Sequence, residues 1–92
     1  MNNNKKNILV TGSSRGIGLA IAKKFSNNGH KVAINSRSNS ELELICKNES
    51  NFLAVHGDVT SERISKNIVD KVYEKLGSLD VVVCNVGNGK SV

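Results

Sequence analysis

Apolar positions along this chain follow two alternating patterns. Ile8-Leu9-Val10, Lys31–Ser36 around Val32-Ala33-Ile34, Phe52–His56 and Leu79–Cys84 are short, nearly continuous apolar runs, as in strands covered on both faces. Between them the apolar residues recur at steps of three and four. From Gly16 to Asn28 they are Ile17, Leu19, Ala20, Ile21, Ala22 and Phe25; from Ser40 to Asn48, Leu42, Leu44, Ile45 and Cys46. A third set, Ile64, Ile68, Val69, Val72 and Leu76, continues the spacing. These sets predict three helices packed on a sheet. Thr60 or Ser61 caps the third helix, Asn28-Gly29 ends the first and Gly77-Ser78 the third.

The predicted order is β-α-β-α-β-α-β. Strands linked by helices pair in parallel, so the fold class is α/β, a Rossmann-type doubly wound parallel sheet. Four strands in the order 3-2-1-4 with three helices are expected. Val81, Val82 and Val83 look suited to an interior strand, yet little sequence follows to cover them. Self-association or aggregation through this fourth strand is therefore expected.

Ninety-two residues suit one domain, 1–92, with the polar Met1–Lys6 stretch expected to be a disordered tail. The charge, 13 minus 8 or +5, permits an anionic partner. The basic residues are spread along the chain without an aromatic stacking platform, so nucleic acid is not expected. No apolar run approaches the roughly 20 residues of a membrane span, and no membrane partner is expected. A soluble, cytoplasmic protein is the expectation. Cys46 and Cys84 lack CxxC spacing and read as structural thiols. His30 and His56 have no ligand partners at metal spacing, so no metal site is expected.

Between the first strand and first helix lies Thr11-Gly12-Ser13-Ser14-Arg15-Gly16-Ile17-Gly18. Gly12 permits a sharp turn, Gly16 lets the backbone approach a pyrophosphate, and Gly18 lets helix and strand pack closely. The helix N-terminus favours the phosphate charge, Ser13 and Ser14 add hydroxyl donors, and Arg15 adds a cation. The loop lacks the Gly-Lys-Ser/Thr ending of a Walker-type loop; Gly89-Lys90-Ser91 has that order but not the surrounding pattern.

The spacing Thr-Gly-x-x-x-Gly-Ile-Gly resembles the cofactor loop of the short-chain dehydrogenase/reductase family. Asn35-Ser36-Arg37, Asp58-Val59-Thr60 and Cys84-Asn85-Val86-Gly87, each after a strand, agree with it. The resemblance implies that Asp58 lies by the adenine amino group with the Val59 backbone beside it. It also implies that Asn85 and Gly87 shape the strand end beside the cofactor ribose. Cys84 and Val86 depart from the family's Asn-Asn-Ala-Gly. An acid after the second strand would bind the ribose of NAD, and arginine suits the extra phosphate of NADP. There is no Asp or Glu from Gly18 to Ser40, and Arg37 lies 19 residues after Gly18. Arg37 with Arg15 therefore favours NADP over NAD. A methyltransferase would also want the missing acid.

Family chemistry, hydride transfer between nicotinamide and a carbonyl or alcohol, uses a serine and a Tyr-x-x-x-Lys pair. Neither is found: the only tyrosine, Tyr73, is followed four positions later by Gly77, and reads as a packing residue. No catalytic residue is assigned. Two readings remain. One is the NADP(H)-binding front of a reductase, cut short and inactive alone, taking a small-molecule substrate only when the rest is supplied. The other is a stand-alone nucleotide-binding or interaction module. The uncovered fourth strand favours the first.

Overall fold

A computed structural model describes residues 4–85. Its elements are β1 (Asn7–Val10), α1 (Gly16–Asn27), β2 (Lys31–Ser36), α2 (Asn39–Cys46), β3 (Phe52–His56), α3 (Glu62–Leu76) and β4 (Val81–Val83). The four strands form one sheet in the order β3-β2-β1-β4, and every pairing is parallel. This is the expected doubly wound arrangement.

Strand side chains alternate between faces, and the core divides accordingly. Ile8, Val10, Val32, Ile34 and Phe52 pack with Ala22 of α1 and Leu42 of α2. Leu9, Ala33 and Val55 pack with Ile68 and Val72 of α3 on the opposite face. Burying β1 and β2 from both sides explains why their runs are apolar without alternation.

The ends of the elements follow from local hydrogen bonding. Ser38 caps α2 by accepting from the Glu41 amide, and Ser61 caps α3 by accepting from the Ile64 amide. Gly77 closes α3 in the left-handed conformation, its N–H donating to the Tyr73 carbonyl.

Three expectations are revised. β4 is shorter than Leu79–Cys84. Leu79 packs against the core on the α3 face, and Asp80 meets Asn7 twice, its carboxylate accepting the Asn7 amide and its own amide donating to the Asn7 carbonyl, both at 2.8 Å; the paired register runs from Val81 to Val83. Lys6, expected in the tail, is tied down. Its amide donates to His30 Nδ1 at 3.0 Å, and its carbonyl accepts from Lys31 at 3.1 Å. Tyr73, expected to pack, is 51% exposed, because it lies one residue beyond the buried Ile68–Val72 face of α3.

Candidate functional site

The loops following β1, β2, β3 and β4 meet around an open cleft of about 770 Å³. Gly12, Ser14, Arg15, Gly16 and Ile17 line it from the first loop, Arg37 from the second, Asp58 and Val59 from the third, and Asn85 from the end of β4. Residues far apart in sequence are thus gathered at the carboxyl ends of the strands, where open α/β sheets bind ligands.

The first loop is set by its glycines. Gly12 and Gly16 have φ of +59° and +63°, a region that L side chains avoid. A Cβ on Gly16 would meet nothing within 4 Å, so the backbone there is open to an approaching group. Gly18 faces inward: a Cβ would collide with the Gly12 carbonyl and lie 2.6 Å from Asn85 Nδ2. Close packing of α1 on the first loop therefore requires glycine at that position.

Ser13 does not join the cleft. Expected to offer a hydroxyl to phosphate, it is fully buried. Its Oγ donates to the Val10 carbonyl at 2.7 Å and accepts from the Asn35 amide at 2.8 Å. β2 lies directly behind the loop and its backbone claims this hydroxyl.

Asn35 extends the same network. Its Oδ1 accepts the Gly12 amide at 3.2 Å, while Nδ2 donates to the carbonyls of Val55 and Gly57 at 3.0 and 3.2 Å. One buried side chain thus joins the first loop to the loop after β3. Its placement in the motif Asn35-Ser36-Arg37 gave no sign of this bridging role. Asn85 fastens the other side: its amide donates to Thr11 Oγ1 at 2.9 Å and Nδ2 to the Gly12 carbonyl at 3.0 Å. Gly87, expected beside it, lies outside the described residues.

The charges at the cleft are mixed. Arg15 precedes α1 at the capping position but supplies no side-chain cap, and the first turn of α1 holds no acid, whereas α2 and α3 have both. The leading N–H groups of α1 and its positive dipole end are therefore left for an anion. Asp58 is half-buried, and its carboxyl is held below the ordinary range by the Thr60 hydroxyl, then by the Thr60 amide, with Arg37 adding a smaller effect. Those two Thr60 bonds, 2.6 and 3.0 Å, form a tight turn rather than a cap on α3. Glu41, not singled out in the sequence, also lines the cleft and pairs with Arg15 at 3.0 Å. No group of three or more potential metal ligands occurs among the described residues. No described helix is long and apolar enough to cross a membrane.

A doubly wound parallel sheet with a glycine loop opening onto an uncapped helix defines a nucleotide-binding α/β protein. The comparisons narrow that class. A family model described as short chain dehydrogenase matches residues 6–92, and the chain belongs to this family. It is 35% identical over 96 residues to a dehydrogenase/reductase SDR family protein 7-like protein of Dictyostelium discoideum, covering 95% of this chain and 30% of that one. Glucose 1-dehydrogenase 2 of Bacillus subtilis is 38% identical over 87 residues, covering 89% and 34%. Among solved structures, L-sorbose reductase from Gluconobacter frateurii, complexed with NADPH and L-sorbose, superposes with a TM-score of 0.86. That match has 31% identity and covers 94% of this chain and 35% of the reductase. An actinorhodin polyketide ketoreductase with NADPH gives 0.85 at 30% identity, covering 92% and 34%. The chain thus spans about a third of the length of these relatives.

Proposed function

We propose that these residues form the NADP(H)-binding portion of an oxidoreductase acting on a carbonyl or alcohol. The observation that carries this reading is the uncapped start of α1, opening into a cleft that also holds Arg15 and Arg37. Bound NADP(H) would supply the hydride. Backbone N–H groups from Ser14 to Ile17 would hold the pyrophosphate. Arg37 and Arg15 would flank the phosphate on the adenosine ribose, Asp58 and Val59 the adenine, and Asn85 with Gly87 the ribose on the β4 side. Ser13 and Gly18 support the loop from behind. NADPH in the reductase and the ketoreductase agrees with this choice of cofactor.

The 92-residue chain on its own is expected to bind cofactor without turning over substrate. Its only tyrosine, Tyr73, is on α3, outside the cleft, with no lysine four residues on. The free thiols of Cys46 and Cys84 agree with a reducing compartment such as the cytoplasm. Titrating the chain into NADPH while following nicotinamide fluorescence, then adding a ketone panel, tests both halves. Saturable binding without NADPH consumption is expected. Absence of binding, or turnover by this chain, would overturn the proposal.

A further inference from the structure

We propose that Glu41 tunes the choice of cofactor by competing with the ribose phosphate for Arg15. This rests on the NADP(H) reading above and adds a residue that opposes it. Ser38-Asn39-Ser40-Glu41 has the spacing of a capping box, in which the acid reaches back to the amide of the capping serine. Here Ser38 fills only its own half, accepting from the Glu41 amide, while the Ser38 amide donates to Ser36 Oγ at 3.1 Å. The Glu41 carboxylate is thereby released from the helix start and reaches Arg15 across the mouth of the cleft at 3.0 Å.

The pair connects two walls of one cleft, the first loop and α2. Its side chains are 80% and 42% exposed, so solvent screens it and it opens easily. Among the described residues, four charged side chains line this cleft: Arg15, Arg37, Glu41 and Asp58. Their sum is zero, with one of the two guanidiniums already engaged. A phosphate entering beside Arg37 gains Arg15 only by displacing Glu41, and afterwards faces that carboxylate. A cofactor with a free ribose hydroxyl meets no such repulsion. Glu41 therefore lowers the preference for the phosphorylated cofactor that the arginines create.

Adenosine 2′,5′-bisphosphate and 5′-AMP isolate the effect, since they differ only in the ribose phosphate. Both are titrated by calorimetry into the 92-residue chain and its Glu41→Gln variant. Gln remains compatible with the third position of a helix, and a melting curve matched to the parent confirms an intact fold. Glu41→Gln is expected to bind the bisphosphate about fivefold more tightly, with 5′-AMP unchanged and the gain shrinking at high salt. In an Arg15→Gln background the same change should give a smaller gain. An equal gain for both ligands, or none, overturns the role of Glu41. If the parent chain prefers the bisphosphate while Glu41→Gln changes nothing, the NADP(H) reading stands and only this inference falls. If neither the parent chain nor Glu41→Gln prefers the bisphosphate, both readings fall. Should Glu41→Gln melt early, Glu41→Ala read by the same ligand ratio decides between these outcomes.

Discussion

At the scale of single residues, Ser13 and Asn35 carry the frame on which the cleft is built. Ser13→Ala leaves the buried Asn35 amide without its partner and removes a donor from the Val10 carbonyl. A cost of about 1–3 kcal/mol in denaturant unfolding is expected, with cofactor affinity of the folded protein unchanged. Lost affinity at constant stability would instead put the hydroxyl on the ligand. Asp58 offers a second check. Its folded carboxyl titrates below the ordinary 3.8, so its contribution to stability is complete above that value and disappears as the pH falls through the depressed one. Thr60→Val removes the leading cause, and the Asp58 midpoint followed by carboxyl NMR should rise toward 3.8. An unmoved midpoint would assign the depression elsewhere. The glycines were legible in sequence because turn geometry and close packing tolerate little else there. The directions of Ser13 and Glu41 were not, since each depends on a residue more than twenty positions away.

Among the elements, hydrophobic spacing was sufficient to place all three helices and four strands in order. Double-sided burial leaves an unbroken apolar run, and one-sided burial leaves a helical stripe, so each type marks itself. Ends were less legible. Leu79 and Asp80 read as strand, but α3 claims the first and Asn7 the carboxylate of the second. β4 pairs only with β1 among the described strands, and Val81 and Val82 are 36% and 47% exposed. An apolar edge of this kind is a template for further pairing. Size exclusion of the 92-residue chain is expected to show species larger than a monomer, growing with concentration, and Val82→Lys should shift them toward monomer. A cooperative-melting monomer at all concentrations would show that this edge is not adhesive.

For the molecule as a whole, the sheet order reverses beside β1, with α1 and α2 packed on one face and α3 on the other. The cleft opens at the strand ends there, with Arg37 and Asp58 toward β2 and β3 and Asn85 toward β4. A dinucleotide held by the start of α1 would therefore lie across the sheet, its adenosine end over β2 and β3. On the proposed reading, cofactor choice would be decided mainly at Arg37, which lines the cleft beyond the end of β2. The most direct measurement is calorimetric titration of the chain with NADPH and with NADH, before and after Arg37→Ala. NADPH is expected to bind about tenfold more tightly or better, and the variant should bring the two constants together. Equal constants for the parent chain, or tighter binding of NADH, would contradict the account.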